Sequence, residues 1–214
     1  MVDPADRSPK QHRSQQTLQR LARAALELIA LNGVEATSVG AIVRRAGSSV
    51  GSFYARFEGK RDLLLYLDEH IWEKIDTDWT EALAKGLADR PLDQLVRGLG
   101  RLYADLDLVH RGARDAIGRA LRGPGAGPSD AALRIRARVR KDSSSLLLEK
   151  RDVMVHADPA LAVRTVCRTL EAASALLEPP LLEDLSSALI THLVGHQEES
   201  PPDAASVEFF DIWS

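Results

Sequence analysis

A group of polar and small residues in the first third of the chain has the types and order needed to contact a phosphate polymer. The phenol of Tyr54 can donate a hydrogen bond to a phosphate, and the ammonium group of Lys60 can pair with one. Ser49, Gly51 and Ser52 stand at the predicted start of a short helix, where small side chains and free backbone N–H groups allow close approach. This chemistry is non-covalent recognition, and it predicts no catalysis and no cofactor.

Three predicted helices must position these residues. Apolar residues at 18, 21, 22, 25, 26 and 29 follow the helical i, i+3, i+4, i+7 pattern and predict a first helix over about 14–32, which an Asn-Gly pair ends. Thr37 or Ser38 can cap a second helix, and a third short helix ends near Ala55. Because such short helices bury little surface alone, we expect all three to pack together as one unit.

The segment 33–67 closely resembles the helix-turn-helix domain of the tetracycline-repressor (TetR) family of bacterial transcription regulators. The resemblance is specific over residues 14–67, about a quarter of the chain. It implies an N-terminal DNA-binding domain that sits on a larger helical domain, which dimerises and binds a small effector. The residues that carry it are Gly33, Thr37-Ser38, Ile42, Ala46-Gly47, Ser49, Gly51-Ser52-Phe53-Tyr54, Phe57, Lys60 and Leu63-Leu64.

The resemblance implies a role for individual residues by matching position. Tyr54, Lys60 and either Thr37 or Ser38 are the expected phosphate anchors, and the base-reading candidates are Val50, Gly51, Ser52 and Arg56. Val50 departs from the polar residue often found there, because it can touch a thymine methyl group but cannot read donors or acceptors. The predicted DNA-contacting set is Thr37, Ser38, Arg44, Arg45, Ser49, Val50, Gly51, Ser52, Tyr54, Arg56 and Lys60.

The charge distribution agrees with a head that meets a polyanion. Residues 1–60 hold nine Lys or Arg against five Asp or Glu, whereas residues 61–214 hold nineteen against twenty-six, within a net charge of −3. The single Cys167 excludes a disulfide framework and a cysteine-based zinc site. No apolar run approaches the ~20 residues of a membrane helix, and the N-terminus lacks the apolar core of a secretory signal. We therefore expect a cytoplasmic protein with no membrane partner.

The helical pattern continues to residue 196 and predicts an all-α chain of about nine helices. The predicted organisation is a flexible basic arm over 1–13, a helix-turn-helix domain over 14–61, a helical ligand-binding and dimerisation domain over 62–197, and a tail over 198–214. In the second domain, Trp72, Trp79 and Tyr103 are candidates for lining a cavity that takes a small apolar or amphipathic effector, with plain core packing as the alternative.

The last two predicted helices carry apolar stripes wider than packing on their own domain requires. Two copies of this hairpin related by a twofold axis would form a four-helix bundle, so we expect a homodimer. The predicted interface residues are Val166, Leu170, Ala173, Leu177, Leu185, Leu189 and Leu193.

These expectations describe a transcriptional repressor that binds a palindromic double-stranded DNA operator and is released by its effector. Two alternatives stay open. The first is a helical metal-dependent enzyme that uses His192 and His196, which lie four residues apart on one helix face. The second is a helical module that binds another protein instead of DNA.

Overall fold

A computed structural model describes residues 9–108, 110–125, 127–174, 176 and 178–195, with side chains from residue 13 onward except that of residue 179. Within these ranges the chain is all-α, as predicted, with nine α-helices and no strand. A π-helical turn at Leu83–Leu87 follows the fourth helix, and a 3-10 turn at Arg151–Val153 follows the seventh. The helices are α1 (Pro9–Ala36), α2 (Val39–Arg45), α3 (Val50–Tyr54), α4 (Lys60–Ala82), α5 (Leu92–Leu108), α6 (Arg111–Arg122), α7 (Asp130–Leu148), α8 (Pro159–Ser174) and α9 (Pro179–Val194).

Helix α1 extends beyond its predicted bounds at both ends. It begins at Pro9, so residues 9–13 of the predicted arm are helical, and a proline is tolerated in a first helical turn. At the other end the predicted stop is visible as a kink, since Gly33 has a φ of 78° inside the assigned helix. Residues 1–8 of the arm and the tail, with its aromatic residues, lie outside the described residues.

Helices α1, α2 and α3 form a small head around Phe53, which has no exposed surface. The ring of Phe53 lies 5.3 Å from that of Phe57, and Phe57 lies 5.6 Å from Tyr66 on α4. The aromatic contacts therefore run from the core of the head onto the first helix of the remaining chain, which we call the body. Ile42 and Val43 complete the buried face of α2.

Helix α5 lies at the centre of the body, where α8 and α9 both pack against it. Gly100 makes this close approach possible. A Cβ atom at that position would lie 3.0 Å from Ser186 Oγ on α9 and 3.4 Å from Leu170 Cδ2 on α8. The absence of a side chain at Gly100 thus sets how tightly the terminal hairpin closes on the body.

Gly100→Leu should destabilise the body by about 1–3 kcal/mol, because the new side chain must push two packed helices apart. Denaturant unfolding followed by circular dichroism would measure the loss. Gly112→Ala is the matched control: nothing lies within 4 Å of its Cβ position, so the gain in helix propensity should raise stability by up to about 1 kcal/mol. A Gly100→Leu protein as stable as wild type would contradict the close packing.

The predicted dimer-interface residues differ in their burial within the single chain. Val166, Leu170, Leu189 and Leu193 are buried within their own chain, against the body. Helix α5 packs against both helices, and Leu170 lies beside Gly100 of α5. Ala173 and Leu185 are half-buried, and Leu177 lies outside the described residues.

Candidate nucleic-acid interface and body cavity

The start of α3 presents a small, polar and exposed surface. Ser49 caps the helix, and its hydroxyl oxygen accepts a hydrogen bond from the backbone N–H of Ser52 at 3.0 Å. Val50 and Tyr54 are 51% and 57% exposed, and Gly51 is exposed between them. Because Phe53 on the opposite face is fully buried, α3 is anchored through one side and offers the other to solvent.

Lys60 stands at the first residue of α4, where its positive charge opposes the positive end of the helix dipole. No carboxylate lies within ion-pair distance of its ammonium group among the described residues. A cation in this unfavourable place, next to free backbone N–H groups, is suited to binding an anion from outside the chain. Lys60 is half-buried, so its stem is held while its end group can reach solvent.

Thr37 and Ser38 have different environments, although both were predicted as possible phosphate anchors. Thr37 is buried, and its hydroxyl donates to the backbone carbonyl of Gly33 at 2.7 Å. Ser38 is the N-cap of α2, and its hydroxyl oxygen accepts from Ala41 N–H at 3.1 Å. Burial removes Thr37 from contact with a phosphate, so Ser38 is the remaining candidate of the pair.

The three arginines predicted to contact DNA also differ in what they contact. Arg44 is exposed, whereas Arg45 donates to Glu27 on α1 at 2.9 Å. Arg56 donates to the backbone carbonyl of Ser52 at 2.7 Å, and to the carbonyl and hydroxyl of Ser14 at 3.2 and 3.0 Å. Arg56 therefore ties α3 to α1, and base reading by its guanidinium would require these bonds to break.

A cavity of about 400 Å³ lies in the body, enclosed by α4, α5, α6, α7 and α8. Trp72 and Tyr103 lie on its wall. Trp79 does not, since it is fully buried and its indole N–H donates to Asp142 at 2.9 Å. The lining residues are Trp72, Ile75, Tyr103, Leu106, Asp107, Arg114, Ile135, Arg136, Val139, Arg168, Glu171, Ala172 and Ser174.

Two polar residues of the cavity wall, Tyr103 and Arg114, each have a partner within the chain. Ser143 donates to the carbonyl of Val139 at 2.8 Å, which leaves its oxygen to accept from the Tyr103 hydroxyl at 3.2 Å. Burial raises the pKa of Tyr103 above its ordinary value, so this phenol stays protonated as a donor. Arg114 is almost fully buried, and its guanidinium pairs with Asp107 at 3.0 Å.

Solved structures with the same fold come from several bacteria. A TetR-family transcriptional regulator from Streptomyces coelicolor matches with a TM-score of 0.60 and 19% identity, over 84% of this chain and 97% of that one. A TetR-family regulator from Mesorhizobium loti matches at 0.59 and 20%, over 83% and 95%. The regulator PfmR from Thermus thermophilus matches at 0.52 and 20%, over 83% and 96%. No curated protein sequence matches this chain.

The head also matches a known family in sequence. Residues 21–67 match the family described as bacterial regulatory proteins, tetR family. The head of this chain is thus similar to the TetR family in sequence, and the chain as a whole has the fold of TetR-family regulators. Its helix-turn-helix is the part of the molecule that the family uses for DNA binding, and the head carries the exposed α3 described above.

Two further features bear on the alternatives to a TetR-family regulator. Among the described residues, no group of three or more His, Cys, Asp or Glu side chains is placed to hold a metal ion. His192 packs its ring 5.0 Å from that of His156, and His196 lies outside the described residues. Within the same ranges, no helix combines the length and hydropathy that a membrane span requires.

Sequence reasoning missed the charged residues of the cavity wall. Arg114, Arg136 and Arg168 line it, although arginine is usually a surface residue and none of the three stood out by spacing. A signal was present in α7, where arginines recur at every second position from 134 to 140. Such a run must place some of them against the neighbouring helices, because a helix has no face made of alternate residues.

Proposed function

We propose that this chain is a transcriptional repressor that binds a double-stranded DNA operator as a homodimer and leaves it when a small effector occupies the body cavity. The single observation that carries the DNA-binding part is the exposed face of α3 next to Lys60. Solvent-facing residues on this surface are Val50, Gly51 and Tyr54. Lys60, at the start of α4, has no carboxylate partner among the described residues. Major-groove readers use this combination of small helix-start residues and flanking phosphate donors.

We propose the domain boundaries that the sequence predicts. The head is residues 14–61, the body is residues 62–197, and the base-edge contacts are assigned to Ser49, Val50, Gly51 and Ser52. Ser38, Tyr54 and Lys60 are assigned to the phosphates, and Arg44 is the exposed arginine that can join them. We assign Arg45 and Arg56 to positioning α2 and α3 against α1, since their guanidinium groups are bonded within the head.

The dimer surface in this proposal is the outer face of α8 and α9, opposite the buried residues. Leu181 is 54% exposed, and Ala188 lies exposed two turns later on the same face of α9. Ala172, which also borders the cavity, is exposed near the end of α8, and Leu176 is exposed just beyond that helix. In a single chain these apolar side chains are in contact with water. In a dimer with a twofold axis, the same patch of the second chain would cover them.

The contacts of the cavity support release of DNA by a ligand. Trp72 on α4 and Arg114 on α6 share its wall, with the guanidinium carbon 5.4 Å from the ring centroid. Helix α6 packs against α1 of the head, and Arg122 of α6 reaches Asp68 of α4 at 3.5 Å. A ligand that separates α4 from α6 would therefore move the two helices against which the head packs. It releases the DNA only if it binds more tightly to the released arrangement of the head than to the DNA-bound one.

The DNA-binding proposal is tested by selecting bound fragments from a random double-stranded library with the purified chain and measuring affinity for the selected sequence. Enrichment of a palindrome with half-sites ~34–36 Å apart would support a dimer on successive major grooves. Enrichment of no sequence, together with salt-independent binding, would overturn the proposal. A reporter gene under the selected operator then separates repression from activation.

Lys60→Ala should weaken binding to every DNA sequence alike and reduce the slope of log affinity against log salt by about one for each bound head. Mobility shifts at several salt concentrations measure this slope. The variant should unfold at the same temperature as wild type or higher, because the removed charge opposed the helix dipole. Lys141→Ala, which removes an exposed lysine of α7, is the matched control and should leave the slope unchanged. An unchanged slope in Lys60→Ala would refute the phosphate assignment.

A further inference from the structure

The charges around the body cavity are not balanced. Asp107 is paired with Arg114 at 3.0 Å and also with Arg111, so its charge is compensated. Both carboxylate oxygens of Glu171 accept from one nitrogen of Arg140 at 2.9 Å. Each acid on the cavity wall is thus already neutralised by an arginine of the chain itself.

Two arginines on the same wall have no such partner. Arg136 on α7 and Arg168 on α8 line the cavity, and no carboxylate lies within ion-pair distance of either among the described residues. Both side chains are exposed, so their guanidinium groups remain fully charged and hydrated. The excess charge that a ligand meets in this cavity is therefore positive.

Apart from these charged residues, the cavity wall is mostly apolar. Two guanidinium groups lie near the Trp72 ring: the central carbons of Arg114 and Arg136 are each 5.4 Å from its centroid. Ile75, Ile135 and Val139 add aliphatic surface around the indole. A ligand here gains from burying an apolar body against these side chains and from placing a negative group beside Arg136 and Arg168.

We propose that the effector is an organic anion, a molecule with an apolar body and one carboxylate, sulfonate or phosphate group. This inference rests on the proposed effector role of the cavity, and it names the chemical class that the cavity selects. Arg136 and Arg168 hold the anionic group, and Trp72 packs against the apolar body. A neutral molecule of the same shape gains only the second interaction, and a cationic one is repelled.

Two naphthalene dyes that differ chiefly in one charged group test this selectivity without knowledge of the natural effector. They are 8-anilinonaphthalene-1-sulfonate, an anion, and the neutral N-phenyl-1-naphthylamine, both of which fluoresce when bound in apolar surroundings. Arg136→Gln and Arg168→Gln should each weaken binding of the sulfonate by about threefold to tenfold, because each removes one charge-assisted contact. Binding of the neutral dye should change less than about twofold, since the apolar contacts remain.

Matched controls come from the same helices. Arg134→Gln on α7 removes an arginine that pairs with Glu69, and Arg164→Gln on α8 removes an exposed arginine. Neither residue lines the cavity, so both variants should leave both affinities unchanged. Neither Arg136 nor Arg168 is buried or ion-paired within the described residues, so Arg168→Gln should unfold at the wild-type temperature. Arg136→Gln should unfold only slightly below it, because this variant also loses the contact with the Trp72 ring.

The outcomes separate the ligand class from the regulatory role. Equal effects of all four Arg→Gln variants on the sulfonate would mean surface attraction only and would overturn the inference, as would a cavity that binds neither dye. Loss of sulfonate selectivity in Arg136→Gln and Arg168→Gln alone would support it. Operator affinity measured on the same proteins without dye tests the DNA-binding role, so selective dye binding in a chain that binds no DNA would refute the proposed function and leave the ligand class standing.

Discussion

An Ala188→Glu protein is expected to be a monomer that binds its operator at least about a hundredfold more weakly than wild type. Ala188 is exposed near the centre of the outer face of α9. In a twofold-symmetric interface its glutamate would face the glutamate of the partner, and like charges removed from water repel strongly. Each monomer keeps every DNA-contacting residue but loses the second head, which in the dimer binds as a tethered group at high effective concentration.

Sedimentation velocity and mobility shifts on the same samples measure the two effects. Ala137→Glu makes the same substitution on an exposed position of α7 and should stay dimeric with wild-type affinity. A substitution at Leu189 would be a poor test, because Leu189 is buried in its own chain and a charge there would unfold the body. An Ala188→Glu chain that sediments as a dimer would place the interface elsewhere.

Phe53→Ala should unfold the head and abolish DNA binding, with a stability cost of about 3–5 kcal/mol for the lost ring and the remaining cavity. Phe53 has no exposed surface, and its ring contacts both Tyr54 and Phe57 at 5.3 Å. A unit of about 50 residues has a small free energy of unfolding, so a loss of this size is close to its total stability. The body should keep its fold, because its core is built from α4 to α9.

Hydrogen exchange resolves this outcome by region: amides of α2 and α3 should exchange freely in the variant, while those of α5 and α8 stay protected. Tyr54→Ala is the adjacent control. It removes an aromatic ring that is 57% exposed, so the cost to folding should be below about 1 kcal/mol while DNA affinity falls through the lost phosphate contact. Protected α3 amides in Phe53→Ala would show that the head does not depend on this ring.

Local sequence patterns were enough for the fold class and for the head. Helical periodicity, the glycines at 33 and 47, and capping serines at 38 and 49 act over a few residues. The structure has a kink in α1 at Gly33, and α2 and α3 begin directly after the capping serines. The helix-turn-helix resemblance has the same origin, because its small core requires particular residues at fixed short spacings. Each of these features depends on neighbours within about two helical turns.

The cavity and the orientation of the last two helices could not be obtained in this way. Periodicity marks Leu170 and Leu189 as residues that avoid water, but it does not say whether α5 or a second chain covers them. In the structure α5 covers them, because the absence of a side chain at Gly100 lets α8 and α9 pack closely against α5.

The same limit applies to charge and to hydroxyl groups. Composition counts Arg114, Arg136 and Arg168 as equal cations, yet only the packing shows that the first is paired with Asp107 and that the other two face the cavity. Thr37 is a possible cap residue by its position in the sequence and is instead buried against Gly33.

The amino-acid sequence determined which segments are helical and which carry the DNA-reading motif, since those depend on local interactions. The tertiary structure decided which surfaces remain free for a ligand or a second copy, because contacts between residues far apart in the chain set that outcome.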